Sequence, residues 1–429
     1  MACVDCLARI REIVSAPLQK LTLSLPLLLA ASPALATTDQ QQREACYGSS
    51  ATPDQVIAAC TALIAADSNT ASLAAQDLAN RAFALRLKGQ DDLALADADR
   101  AIQLRPDYEF GFNVRGIIHA RKGQNQYAVA DFTRAIGLKP DFADAWFNRG
   151  NRYRDMGETD KAIYDYTQAI KYAPAFADAY VNRGNVYRDT NQDALAMADY
   201  GQAIAKDASN AMAWFNRGRL HNRQRHYDSA IADLTRAVTL SPDNAGAFAA
   251  RGYAYMEKNL PNLAIGDLTK AVVLDPASTA GYYNRGLLYR RMGQWDRAAV
   301  DLTKVIELTP DQADAYYVRG LVYRQMKNTA GALADYDRAI SLNPDMADAW
   351  FARGALYGDR KQYDRAIADL TRAIELEYTK ADAYVLRANY LVAKGLKEEA
   401  LPDYAFALEL NPADKWSRQQ YAKLSEPVY

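Results

Sequence analysis

The sequence is short of histidine and cysteine, and neither sign of charge is in surplus. Only three histidines occur in 429 residues, His119, His221 and His226. His221 and His226 are five apart, a spacing that does not share one helix face well. No Cys/His zinc spacing, phosphate loop or nucleophile elbow occurs, so no catalytic residue, metal or other cofactor is expected. With 51 basic residues against 52 acidic ones, nothing favours nucleic acid or an anionic membrane face as partner. No apolar run reaches the roughly 20 residues that a spanning helix needs, so the mature chain is expected to lack a membrane span. What is present is a composition of 50% hydrophobic and 24% charged residues, that of a folded rather than a disordered chain.

The N-terminus has the layout of a secretory signal. Arg9, Arg11 and Lys20 precede the apolar stretch 21–36, LTLSLPLLLAASPALA, which ends in the small-residue pattern Ala34-Leu35-Ala36. That arrangement predicts export, to the periplasm or outside the cell, with cleavage after Ala36. The alternative is a retained anchor, against which stand the 16-residue length and the two prolines Pro26 and Pro33. Of the four cysteines, Cys3 and Cys6 lie in the leader, which leaves Cys46 and Cys60. In an oxidising compartment two cysteines usually pair, closing a loop of about 15 residues that contributes on the order of 3 kcal/mol. Two buried free thiols are the other reading.

A period organises the rest. From residue 75 to residue 414 the chain can be laid on itself every 34 residues without a gap, giving ten blocks. Numbering each block from 1 to 34, position 8 is Gly in eight blocks, and position 20 is Ala in all ten, Ala94 to Ala400. Position 27 is Ala except at Val305, position 32 is Pro except at Ala208 and Tyr378, and position 4 is always large and apolar, as in Trp146, Trp214 and Trp350. Each block carries two apolar-periodic stretches, near positions 1–14 and 18–31, separated by a turn such as Met156-Gly157-Glu158-Thr159, and this pattern predicts a helical hairpin. Proline at position 32 stops the second helix because it lacks an N–H for the next turn. One such hairpin cannot bury its apolar face alone, so the blocks are expected to stack.

These residues at these positions resemble the tetratricopeptide repeat, and with the leader the chain is similar to exported bacterial proteins of that family. The resemblance implies an all-α fold, a right-handed α-solenoid superhelix of antiparallel helix hairpins. The expected organisation is a signal peptide at 1–36, a helical cap with Cys46 and Cys60 at 37–74, ten repeats at 75–414 and a capping helix at 415–429. Helices are expected at 53–66 and 414–424, shielding the apolar ends of the stack.

One recurrence departs from the family, which prefers leucine at position 7. Here position 7 is Arg in every block and position 23 is Asp in every block, including Arg149 with Asp165 and Arg183 with Asp199. In a hairpin turning near position 16 these positions face each other, which predicts a charge-assisted pair within a block or between neighbours. Recurrence in every block marks the ladder as structural rather than as a row of binding sites.

The resemblance places a binding groove along the first helix of each block, at positions 2, 5, 6, 9, 12 and 13, and these vary from block to block. Candidate contacts are Phe147, Asn148, Asn151 and Arg154, then Asn182, Asn185 and Arg188, then Phe215, Asn216, Arg219, Asn222 and Arg223. Carboxamides offer a donor and an acceptor together, suited to an extended peptide backbone. Arginines suit carboxylates. The other reading of the asparagines is a solvated surface that ties down neighbouring backbone. Function is accordingly expected to be non-catalytic: an envelope scaffold or adaptor that holds a protein or peptide partner. The alternative is a structural component that associates with itself through its outer surface and ends. Oligomeric state is open.

Overall fold

The computed structural model describes residues 33–48, 50–66, 70–376, 378 and 380–425. The leader assigned to 1–36 thus lies mostly outside the described residues. All 23 elements among the described residues are helices. A first pair, α1 (Pro33–Tyr47) and α2 (Pro53–Ala65), precedes the hairpins. Those of the first half are α3 (Ala71–Leu87) with α4 (Asp91–Leu104), α5 (Glu109–Arg121) with α6 (Asn125–Leu138), α7 (Ala143–Asp155) with α8 (Thr159–Tyr172), and α9 (Ala177–Asp189) with α10 (Asp193–Lys206). Next come α11 (Ala211–Arg223) with α12 (Tyr227–Leu240), α13 (Ala245–Glu257) with α14 (Pro261–Leu274), and α15 (Thr279–Arg291) with α16 (Trp295–Leu308). Last are α17 (Ala313–Gln325) with α18 (Thr329–Leu342), α19 (Ala347–Asp359) with α20 (Tyr363–Glu375), α21 (Ala381–Ala393) with α22 (Lys397–Leu410), and the single helix α23 (Lys415–Ser425). The architecture is an all-α solenoid of helical hairpins. Packing divides it into two compact units, one ending at Ala213 and one starting at Trp214.

The 34-residue spacing reappears in three dimensions because each block repeats the same contacts. Position 20 alanines are fully buried at the helix crossing. Position 8 must be small for the same reason: a Cβ on Gly116 would stand 2.7 Å from the Phe132 ring. The turn between the two helices depends on position 15, where every block adopts a left-handed backbone. Five blocks place Gly there, and five place Asn191, Arg225, Asn259, Lys327 and Lys361 at φ between 56° and 61°. Proline after the second helix has a further use, since its carbonyl receives the next block's tryptophan: Trp146 Nε1 donates to Pro140 O and Trp350 Nε1 to Pro344 O, both at 2.8 Å.

Within each unit, successive first helices touch one another directly, α3 with α5, α5 with α7 and α7 with α9, then α13 with α15 and α15 with α17. First helices therefore line the inner side of each stack, while the second helices lie outside. The N-terminal pair covers the open end of the first hairpin. Its two helices are joined by the Cys46–Cys60 disulfide, with Cα atoms 5.0 Å apart. The Tyr47 hydroxyl donates to Asp77, a fully buried carboxylate at position 3, where the other blocks have Ala or Gly. Burial and this carboxylate push the Tyr47 hydroxyl pKa well above the usual tyrosine range.

Candidate recognition surface

The ladder is the most regular polar feature. In all ten blocks the Arg at position 7 grips the Asp at position 23 of its own hairpin with two parallel bonds. For Arg149 and Asp165 these are Nε to Oδ2 at 2.8 Å and Nη2 to Oδ1 at 2.9 Å. For Arg183 and Asp199 both are 2.8 Å. The aspartates are buried throughout, and the pair is fork-on-fork, the strongest geometry for these groups. The bond to Asp131 raises the pKa of Arg115. In eight blocks the remaining nitrogen, Nη1, reaches the preceding block at position 25, as in Arg149 to Thr133 at 3.0 Å, Arg183 to Thr167 at 2.9 Å and Arg319 to Thr303 at 2.9 Å. Arg115 and Arg353 find Asp99 and Asp337 there instead. In eight blocks the guanidinium also lies over the aromatic ring at position 4, with Arg149 4.8 Å from Trp146 and Arg353 4.8 Å from Trp350. Where Nη1 reaches back, one side chain joins both helices of its hairpin and the hairpin before.

The asparagines of the first unit have an internal employment that the sequence reading missed. The Oδ1 of Asn151 accepts from the Tyr166 hydroxyl and from Asn182 Nδ2, both at 2.8 Å. Asn185 accepts from Tyr200 at 2.9 Å, and Asn148 donates to Asn113 at 3.1 Å. Burial holds the Tyr166 hydroxyl pKa well above the usual range, and a carboxamide supplies the acceptor such a hydroxyl needs. The signal was in the sequence: where position 24 is Tyr166, Tyr200 or Tyr404, position 9 is Asn151, Asn185 or Asn389. Tyr404 bonds Asn389 at 2.6 Å. Tyr336 breaks the pattern, since Leu321 stands at position 9, and its buried hydroxyl has no partner among the described residues.

The other expected contacts divide by exposure. Phe147 is a correction: it was expected to offer contact area, yet it is buried, with its ring 4.7 Å from Phe176 and 5.9 Å from Tyr166. A side chain large enough to bridge two hairpins is drawn into the seam between them. Asn216 is likewise buried. Asn148 remains half-buried and lines a recess of about 170 Å3 with Ile117, Ala120, Arg121, Phe132 and Arg152. Arg154 and Arg188 lie on the inner side, each beside the following aspartate, Asp155 at 3.1 Å and Asp189 at 2.7 Å. In the second unit Arg219 stacks over Phe215 at 5.5 Å, Asn222 Nδ2 donates to Ala250 O at 2.8 Å, and Arg223 is exposed. The stretches 144–188 and 215–223 belong to different units.

His221 and His226 come closer than their spacing suggested, with ring centroids 6.1 Å apart. His226 begins the second helix, so the turn folds it back toward His221. Among the described residues no group of three or more His, Cys, Asp or Glu is arranged to hold a metal ion, and no helix is long and apolar enough to cross a membrane.

Family models agree with this architecture. One described as a TPR repeat matches residues 150–190 and 184–225. A second, the tetratricopeptide repeat, matches residues 215–279, 283–347, 319–376 and 351–415. Together they span more than half of the chain, which belongs to the tetratricopeptide repeat family. Proteins built of these repeats are generally non-catalytic scaffolds for protein–protein interaction. Among solved structures, MamA is 32% identical, over 37% of this chain and 94% of that one, with a TM-score of 0.35. YrrB, described as a TPR protein with an unusual peptide-binding site, is 29% identical, over 44% of this chain and 97% of that one, at a TM-score of 0.37. A tetratricopeptide repeat protein from Parabacteroides merdae is 20% identical, over 58% of this chain and 98% of that one, at a TM-score of 0.46. No curated protein matches the chain.

Proposed function

We propose that this chain is a scaffold or adaptor of the cell envelope that binds extended peptide segments of a partner protein along the inner face of its first helices. The hairpins from α3 to α22 act as its ten repeats in this reading, after removal of a leader ending near Ala36. The observation that carries it is the separation of constant from variable positions. Positions 7, 8, 20 and 23 hold the hairpins together and scarcely vary, whereas positions 9, 12 and 13 face the inner side and change in size and charge from block to block. A scaffold with a shared frame and a varied face is built to read another molecule. Export is supported by the leader and by the Cys46–Cys60 disulfide, which suits an oxidising compartment. With Phe147 and Asn216 buried, the rest of the expected contact set, Asn148, Asn151, Arg154, Asn182, Asn185, Arg188, Phe215, Arg219, Asn222 and Arg223, stays at least partly exposed.

The test places a photocrosslinking residue at Arg154 on the inner face and at Tyr127 on the outer one, 66% exposed, in cells that make the protein. Partner adducts from Arg154 and not from Tyr127 are expected. Adducts from Tyr127 alone would remove the inner face as the site. That outcome favours the second reading, a structural component that associates with itself. Exposed Phe406, Leu410, Trp416 and Tyr421 at the C-terminal end support that reading. Light scattering on the purified full chain would then show an oligomer.

A further inference from the structure

Along the inner face, arginines at position 12 are mostly provided with a carboxylate. Arg154 and Arg188 have Asp155 and Asp189 at position 13 beside them, and Arg324 has Asp359 at 2.9 Å. Arg290 does not. Position 13 of its own block is Arg291 rather than an acid, and Arg291 pairs with Glu257 at 2.7 Å. Position 13 of the next block is the neutral Gln325. The Nε of Arg290 is buried and has no hydrogen-bond partner among the described residues. Arg290, Arg291 and Arg324 surround a recess of about 290 Å3, whose floor and sides are Trp295, Leu321 and Gln325. Asp314, at the start of α17, makes no ion pair with Arg290, Arg291 or Arg324 among the described residues.

A guanidinium held partly out of water without a counter-charge is costly in the empty protein and gains most from an arriving carboxylate. We infer that the recess between α15 and α17 is an anchor for an acidic side chain, Asp or Glu, of an extended partner segment, whose neighbouring apolar residue rests on Leu321 and Trp295. The carboxylate takes the fork of Arg290, with Gln325 as a further donor. This rests on the inner-face reading proposed above and adds the chemistry of the partner: acidic and apolar residues in alternation. The site lies outside the stretch from 144 to 223 that the asparagine-rich blocks singled out.

The experiment uses the full chain and two fluorescent peptides, acetylated and amidated at their ends, one alternating Glu with Leu and its twin alternating Gln with Leu. Fluorescence anisotropy is expected to show the Glu peptide binding roughly ten-fold more tightly or better, the effect of one charge-assisted bond pair. Arg290→Gln should abolish the preference. Gln325→Glu, which supplies an internal carboxylate to the same arginines, should abolish it independently. Arg372→Gln on the outer side, where Arg372 pairs with Glu375, should leave it intact. Failure of both peptides to bind, equal binding, or a preference that survives Arg290→Gln and Gln325→Glu would overturn the anchor. The inner-face reading is decided separately by the crosslinking at Arg154, which does not depend on the charge of the peptide.

Discussion

Asp165→Ala is the sharpest probe of how the stack is held. Asp165 has 1% of its side chain exposed and Arg149 has 12%, and the two share bonds of 2.8 and 2.9 Å. If this were a surface pair, its removal would cost about 0–1 kcal/mol. For a buried pair, deleting one partner leaves a charge without compensation, and the cost is about 3–5 kcal/mol. What Arg149 keeps after the deletion is the Thr133 hydroxyl at 3.0 Å and the faces of Trp146 and Tyr153 at 4.8 and 5.7 Å. These stabilise the cation by about 0.5–2 kcal/mol but do not neutralise it, so a loss near the lower end, about 3 kcal/mol, is expected.

Asp165→Asn preserves one acceptor and should fall between parent and alanine variant. Replacing both members, Arg149→Leu with Asp165→Leu, should recover much of the loss, because the desolvated charges are gone. A stack of repeats opens locally as well as globally. The assay is therefore a thermal midpoint together with amide hydrogen exchange over α7 and α8. A midpoint and exchange pattern equal to the parent's in Asp165→Ala would refute the reasoning, since the guanidinium would then be solvated and the pair a surface one.

Three further outcomes follow from single positions. Tyr336→Phe removes a buried hydroxyl without a partner among the described residues and should leave stability unchanged or raise it, whereas Tyr166→Phe removes one of the two hydrogen bonds that Asn151 Oδ1 accepts and should cost about 1 kcal/mol; urea titration separates the two. Lys327→Gly, at φ 59°, should stabilise the turn by about 0.5–1 kcal/mol, because the left-handed backbone is strained for lysine and free for glycine; a lower thermal midpoint would contradict this. Burial, with smaller contributions from Arg217 and His226, depresses the pKa of His221 below 6.5 against the opposing pull of Asp233. The unfolded chain then takes up the proton first. The stability due to neutral His221 is fully present above pH 6.5, declines as pH falls toward the folded-state pKa, and is level below it. Urea midpoints between pH 7.5 and pH 5 should show this slope in the parent and lose that component in His221→Tyr, the residue found at this position in six other blocks.

The period and the facing of positions 7 and 23 were legible because a stack imposes them. Every block meets the same neighbours, so the same residue must recur, and a 16-residue separation across a hairpin turn puts Arg149 against Asp165 by geometry alone. What stayed hidden depends on the direction of individual side chains. Thr133 and Thr167 accept from the arginine one block later, which no pattern within a block reveals. Phe147 sits at a position assigned to the inner face, yet its ring is long enough to reach Phe176 and leave the surface. Asn151 and Asn185 resemble a recognition row when only first helices are compared. Their role emerges when position 9 is compared with position 24 on the second helix. The left-handed turn at position 15 was masked by Arg225, Lys327 and Lys361, residues seldom found in that conformation.

The charges on the inner face sort the blocks in a way that size and polarity do not. An arginine followed by an aspartate, as in Arg154-Asp155 and Arg188-Asp189, carries its own counter-charge, and a ligand must displace that pairing to use the guanidinium. The gain from an incoming carboxylate is then the difference between two similar ion pairs, which is small in solvent-exposed positions. Arg290 is followed by Arg291, whose own partner is Glu257, and Arg290 makes no ion pair among the described residues, so an incoming carboxylate has none to displace there. Selectivity along a repetitive surface therefore arises where the local pairing rule is broken, and a count of arginines along the inner face would not locate it. The same logic separates the two kinds of arginine in this chain. Those at position 7 are matched to aspartates within their own hairpins and hold the stack together, whereas the unmatched Arg290 at position 12 leaves its charge available to another molecule.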